Sequence, residues 1–213
     1  MPRLSLFCAL ALAASAAACS DPEQERLRQT TIPTYDKTTG KLTRLTADLD
    51  KDGKIDAYTY MDGTKVLRSE LDADEDGRIE KWEYHGDDGR VVRVAVSREK
   101  NGKPDSWTYV GPDGQVARGE FSSEQDETKI DRWEWYKSGE LARSEEDASG
   151  DGKVDKWTTH GPGGIIVALS LDENYDGSPD RLLTYGTDGR LLTIESEPDG
   201  RGGFRKTLKV SAK

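Results

Sequence analysis

Polar and apolar positions alternate with a period of two along most of the chain, in short runs such as RIEKWEY at 78–84, VVRVAVS at 91–97 and KVDKWTT at 153–159. Side chains of a β-strand point alternately to opposite faces, so each run predicts a strand with one aromatic or apolar side. The runs are rich in aromatic and β-branched residues, which suit a pleated, half-buried surface. Trp82, Trp107, Trp133 and Trp157 stand in equivalent places in successive runs, with Tyr58 and Leu182 replacing them at the ends. Tyr60, Tyr84 and Tyr109 follow two residues later, on the same face.

The pattern repeats every 25 residues. Gly89, Gly114, Gly139, Gly164 and Gly189 keep that spacing, as do Val91, Val116, Leu141, Ile166 and Leu191, and Arg68, Arg93, Arg118 and Arg143. Self-similarity of this length marks a stacked repeat architecture. GDDG at 86–89, GPDG at 111–114, GPGG at 161–164 and GTDG at 186–189 separate the two runs of a unit. Proline and glycine at these offsets permit the backbone angles of tight turns, so each pair of runs predicts a hairpin. Each unit therefore reads as strand, glycine turn, strand, acidic loop.

The expected fold is all-β: an elongated antiparallel meander or solenoid of about seven 25-residue β-hairpin repeats, about 14 strands, spanning residues 31–210. A propeller is the rival, though a two-strand unit is short for a four-stranded blade. A membrane barrel is disfavoured by the charges of Lys81, Glu83, Arg132 and Glu134, which recur along the strands where lipid would lie.

Composition sharpens the question of what holds such a fold together. Leu, Ile, Val and Phe number 38 of 213 residues, a share low enough to suggest disorder in a charged chain. The tryptophan row is expected to serve as core, packed against the valines and leucines of neighbouring strands. The net charge is −10, which argues against a nucleic-acid partner.

Much of the acidity sits in four loops. They hold Asp48, Asp50, Asp52, Gly53 and Asp56; Asp72, Asp74, Asp76, Gly77 and Glu80; Asp147, Ser149, Asp151, Gly152 and Asp155; and Asp172, Asn174, Asp176, Gly177 and Asp180. Their fourteen carboxylates exceed the net charge of the whole chain, and without them the remainder would be basic by about 4. Carboxylates gathered round one point repel one another unless a cation joins them. Alternate oxygens around a glycine-permitted turn converge on one point, as a hard cation that takes six or more oxygens requires.

These loops resemble positions 1, 3, 5, 6 and 9 of the EF-hand calcium-loop family. The resemblance covers the loops and not the helices that flank them in that family, and it implies calcium as cofactor. DADEDGRIEKWE at 72–83 matches through Glu83, where the family places a bidentate ligand. The other three carry Thr59, Thr158 and Leu183 there, which leaves them short of that ligand. SREKNGKPD at 97–105, SSEQDETKID at 122–131 and EPDGRGGFR at 197–205 are decayed versions. DG-rich turns also occur without any ion, because aspartate bonds its own backbone and glycine relieves strain.

Residues 1–18, MPRLSLFCALALAASAAA, have the layout of an export signal, followed by Cys19. This resembles a bacterial lipoprotein signal, which implies lipidation of Cys19, a flexible tether over 19–30, and a lipid-anchored place in the bacterial cell envelope. With Cys8 removed, Cys19 would be the sole cysteine, so no intramolecular disulfide could brace the fold. No catalytic motif accompanies His85 and His160, so an enzyme is not expected. The function expected is a calcium-binding β-repeat lipoprotein acting as an envelope scaffold or interaction module with a protein or glycan partner. The alternative is a glycan-binding module that uses the tryptophan row, with calcium only structural.

Overall fold

The computed structural model describes residues 30–210. The signal-like segment 1–18, Cys19 and the tether up to residue 29 lie outside the described residues. The chain divides after Pro104 into two compact units.

The first unit contains β1 (Thr31–Tyr35), β2 (Leu42–Ala47), β3 (Ala57–Asp62), β4 (Lys65–Leu71), β5 (Lys81–His85) and β6 (Val91–Val96). The second contains β7 (Ser106–Val110), β8 (Val116–Phe121), β9 (Arg132–Lys137), β10 (Glu140–Glu146), β11 (Lys156–His160), β12 (Ile166–Leu171), β13 (Arg181–Tyr185), β14 (Leu191–Pro198) and β15 (Phe204–Lys209). A short 3-10 turn, Pro162–Gly164, joins β11 to β12. Within each unit every strand pairs antiparallel with its neighbour in sequence, so both are open all-β meanders. The described residues thus form fifteen strands against the expected 14 or so. The addition is β1, whose TIPTY carries none of the repeat's landmarks.

The glycine turns do what their composition demands. In the turn from Gly86 to Gly89, Gly89 N donates to Gly86 O at 3.0 Å and Gly89 then adopts φ +77°. A four-residue turn followed by a left-handed residue leaves a bulge, and the register slips between Tyr84 and His85. The same slip recurs beside the turns at Tyr60, Tyr109, Thr159 and Thr184. It fixes register at the glycine end of each hairpin, and so fixes where the opposite, acidic ends fall.

The arginines at the repeat interval acquire a purpose. Arg68, Arg93, Arg118 and Arg143 lie directly across from Tyr60, Tyr84, Tyr109 and Trp135. Their guanidinium carbons stand 4.5, 5.4, 4.4 and 4.0 Å from the facing ring centroids. Each such cation–π contact contributes about 0.5–1 kcal/mol at a partly exposed site. Arg68 and Arg118 also pair with Glu70 and Glu120 at 2.8 and 2.9 Å, and these acids accept from the hydroxyls of Tyr60 and Tyr109.

The tryptophan row differs from the expectation in one respect. Its cross-strand neighbours are not valine and leucine but Glu70 and Ala95 for Trp82, Glu120 for Trp107, Glu120 and Glu145 for Trp133, and Glu145 and Ser170 for Trp157. The valines face the other way because alternation puts Val94 opposite Glu83 rather than Trp82. Trp107 is 1% exposed, whereas Trp82, Trp133 and Trp157 are half-buried. Among the described residues the buried apolar side chains are Ala47, Ala57, Met61, Ala95 and Trp107, and buried polar groups outnumber them. Several of those polar groups are the carboxylates of the acidic loops.

Candidate metal centre

Each acidic loop bridges the end of one hairpin and the start of the next. The strand ladder runs on beneath it: Asp56 N donates to Ala47 O at 3.0 Å, Glu80 N to Leu71 O at 2.9 Å, Asp155 N to Glu146 O at 2.9 Å and Asp180 N to Leu171 O at 2.8 Å. The ninth position is thereby locked to the residue preceding the first. Loop residues one and nine enter the sheet margin: Asp56, Asp72, Glu80, Asp147, Asp155 and Asp172 are buried, and Asp48 and Asp180 half-buried. The intervening residues arch outward.

Two left-handed residues shape each arch. At the fourth position Lys51, Glu75, Gly150 and Tyr175 have φ of 72°, 58°, 77° and 64°. At the sixth, Gly53, Gly77, Gly152 and Gly177 have φ between 87° and 99°. Glycine accepts that conformation without steric cost, which is why it recurs there. The glycine amide then donates to the first aspartate, at 2.9, 3.0, 2.8 and 2.6 Å in the four loops. The fifth-position aspartate accepts from the seventh amide in each, at 2.8–2.9 Å. These bonds occupy part of the acceptor capacity of each carboxylate and aim the rest inward.

In the loop at 72–80, Asp72, Asp74, Asp76 and Glu80 each offer an oxygen within 4.8 Å of all the others. In the loop at 48–56 the same holds for Asp48, Asp50 and Asp56, and separately for Asp50, Asp52 and Glu75. In the loop at 147–155 it holds for Asp147, Asp151 and Asp155, with Ser149 Oγ 3.3 Å from Asp147 Oδ1. The loop at 172–180 differs: Asn174 Nδ2 donates to Asp180 Oδ1 at 3.1 Å, so an amide takes up an oxygen that the others leave open.

Glu83 does not join the cluster of its loop. It lies on β5 between Ser69 and Val94, with its carboxylate 2.6 Å from Lys81 Nζ. A helix would bring the twelfth position back beside the ninth, but a strand carries it roughly 10 Å further on. In two of the decayed loops a hydroxyl replaces the first aspartate. Ser97 and Ser122 take the first position, and their hydroxyls accept from the amides of Asn101 and Asp126 at 3.2 and 3.1 Å.

Four carboxylates in these clusters are buried with one oxygen lacking any hydrogen-bond partner: Asp56 Oδ1, Asp72 Oδ1, Glu80 Oε1 and Asp155 Oδ1. The other oxygen of three of them accepts a short amide bond, from Leu49 to Asp56, Ala73 to Glu80 and Ser149 to Asp155, at 2.5–2.7 Å. A buried, half-satisfied carboxylate is costly unless a further partner reaches it. The titration of these groups reflects the same tension. Burial pushes the Glu80 carboxyl above its ordinary range; the Ala73 amide opposes this and Asp74 and Asp72 add to it. Asp74 is held low by the Lys100 ammonium, 2.8 Å from Oδ2. Burial acts to raise Asp172, but amides of Gly177, Tyr175, Asp176 and Asn174 outweigh it and hold it low.

His85 and His160 lie beside the glycine turns, as their sequence positions suggest. His85 is half-buried, and burial lowers its pKa. His160 Nδ1 is 3.2 Å from Gly164 O.

No known protein family and no curated protein matches the chain. Among solved structures, a mutant of S. aureus TarM in complex with fondaparinux, α-GlcNAc-glycerol and UDP matches at 17% identity and a TM-score of 0.35, over 48% of this chain and 21% of that one. Streptococcus pneumoniae accessory secretory protein 1, 2 and 3 matches at 13% identity and a TM-score of 0.26, over 58% and 20%. The GtfA/B complex bound to UDP and GlcNAc matches at 19% identity and a TM-score of 0.19, over 53% and 19%. The chain spans about a fifth of the length of each. Likeness at this level carries no functional argument.

Proposed function

We propose that this chain is a calcium-binding β-repeat protein of a bacterial envelope, without catalytic activity, held to a membrane through acylated Cys19 and serving as a scaffold or interaction module. The observation that carries the calcium reading is the set of buried carboxylate oxygens without partners on Asp56, Asp72, Glu80 and Asp155, in clusters where three or four acids converge. An all-oxygen, carboxylate-rich set favours a hard divalent cation, and loops that bend round their ligands suit calcium better than the strict octahedron of magnesium.

Calcium accounts for how the fold holds. Bound with a dissociation constant of about 0.1–1 mM, as in extracellular modules, it stabilises each site by about 1.4 kcal/mol at tenfold excess. A sheet with five buried apolar side chains and no disulfide among its described residues benefits from that increment. A platform for glycan built on all four equivalent tryptophans is weakened by Trp107, whose ring is buried. Calorimetric titration of the chelator-treated chain tests the reading. Binding of calcium with millimolar or better affinity, and a melting temperature that rises with calcium more than with equal magnesium, is the expected result. Melting indifferent to both ions would reduce the loops to turns.

A further inference from the structure

The four acids that converge at 72–80 include two with a buried oxygen that no hydrogen bond satisfies: Asp72 Oδ1 and Glu80 Oε1, on residues 5% and 8% exposed. One cation already reaches this cluster from outside its loop. Lys100 Nζ lies 2.8 Å from Asp74 Oδ2, and Glu80 and Asp76 also attract it. Lys100 belongs to the loop at 97–105, where Ser97 replaces the first aspartate and, among the described residues, no group of three acids converges. That loop's turn sets its place: Lys100 N donates to Ser97 O at 3.1 Å, and the residue is left-handed, with φ 53°. The pair is open to water, the lysine side chain 60% exposed and the aspartate 38%, so the ammonium is free to leave.

We propose that Lys100 is the resident counter-cation of the site at 72–80, displaced when a divalent cation enters, so that a loop short of metal ligands of its own sets the neighbouring site's calcium threshold. The inference rests on the calcium reading and adds a regulator to one of its sites. Carboxylates gathered round one point repel one another, and an ammonium at the rim relieves part of that repulsion without reaching the two buried oxygens. Calcium, which takes six or more oxygens, satisfies those as well, but to recover Asp74 it must outcompete Lys100. The site at 147–155 has no such rival from a neighbouring loop. Its own Lys153 stands 3.8 Å from Asp151 Oδ2 and donates instead to the Tyr175 carbonyl at 3.0 Å. Arg78, inside the loop at 72–80, is likewise 3.8 Å from Asp76 Oδ2, beyond hydrogen-bond reach.

The probe is calcium alone, added to the full chain after chelator treatment, with the amide resonances of Gly77 and Gly152 followed by two-dimensional NMR. Each glycine reports its own loop. Lys100→Met should lower the calcium midpoint of Gly77 by about two- to fivefold, the worth of an exposed ion pair, with Gly152 unmoved. Lys100→Arg, which restores a cation at the same place, should return the Gly77 midpoint toward that of the unaltered chain. Lys103 supplies the control, because it is exposed and lies on the same loop. Lys103→Met removes an equal charge and should leave the Gly77 midpoint where it was. A Gly77 midpoint unmoved or raised by Lys100→Met, or lowered as much by Lys103→Met, would make Lys100 surface charge only and overturn the proposal, while the calcium reading stands on the titration of Gly77 itself. If Gly77 does not respond to calcium in the unaltered chain, the site falls and this inference with it.

Discussion

Glu80 shows at a single residue what the acidic loops ask of a cation. It is 8% exposed, its Oε2 accepts from Ala73 N at 2.6 Å, and its Oε1 has no partner. Replacing it with glutamine keeps an acceptor for Ala73 and removes a charge that burial and two neighbouring aspartates disfavour. In chelator, Glu80→Gln should raise stability by about 1–3 kcal/mol, the cost of a buried group left unsatisfied. In excess calcium the same change should lower it relative to the unaltered chain, because a ligand charge is lost. Thermal melting in the two buffers reads the pair of signs, and equal signs would mean that no ion sits at Glu80. A pH effect belongs to a residue far from the loops. Tyr136 donates to Glu134 Oε2 at 2.5 Å, and burial, then the Glu134 carboxylate, push its phenol from 10.0 up to about 12. Below pH 10 the phenol is neutral both folded and unfolded, so its contribution is fully present. As pH rises toward 12 the unfolded chain ionises first, and that stability is lost. Urea unfolding at pH 9 and pH 11 should therefore show a larger drop for the unaltered chain than for Tyr136→Phe.

At the scale of the element, the hairpin and the acidic loop were legible in the sequence for one reason: both rest on residues whose local conformation is restricted. Gly89 takes φ +77° with open space where a Cβ would stand, so Gly89→Ala meets only a backbone penalty. It should cost about 1–2 kcal/mol, the left-handed penalty for a residue with a side chain, and denaturant midpoints should show the same loss with and without calcium. The strands, the turns and loop positions one, three, five, six and nine could be read because alternation and glycine mark them directly. Three features could not. Glu83 fits a motif defined for a loop that enters a helix, and here β5 carries it away to Lys81. Glu75 sits at no ligand position of that motif, and its nearness to Asp50 and Asp52 exists only once adjacent hairpins are paired. The tryptophans were expected against valine and leucine, but a one-residue difference in phase puts Val94 opposite Glu83 and leaves Ala95 opposite Trp82. The interval of Arg68, Arg93, Arg118 and Arg143 was plain in the sequence, whereas its meaning, a guanidinium over each facing ring, depends on register.

For the whole molecule, the distribution of carboxylate clusters matters more than their number. The loops at 48–56 and 72–80 both belong to the unit that ends at Pro104, and Glu75 of the second converges with Asp50 and Asp52 of the first in a separate group. The unit that begins at Asp105 contains the cluster of Asp147, Asp151 and Asp155, while in its other well-formed loop Asn174 already bonds Asp180. The second unit also contains Trp107, the largest fully buried side chain among the described residues, whereas the buried apolar groups of the first are Ala47, Ala57, Met61 and Ala95. One unit thus has the larger buried ring and the other the denser set of converging acids. Calcium at tenfold excess over its dissociation constant should then stabilise the first unit by about 2.8 kcal/mol through two sites and the second by about 1.4 kcal/mol through one. Amide exchange followed by mass spectrometry resolves this, because opening free energies are local where units open independently. Calcium should slow exchange about 100-fold in β3, β4 and β5, and about tenfold in β10, β11 and β12, at the same excess. Equal slowing in both sets would mean that the loop at 172–180 binds as well as the others despite Asn174. Greater slowing in the second would place the principal site away from Asp72, Asp74, Asp76 and Glu80, against the count of converging oxygens.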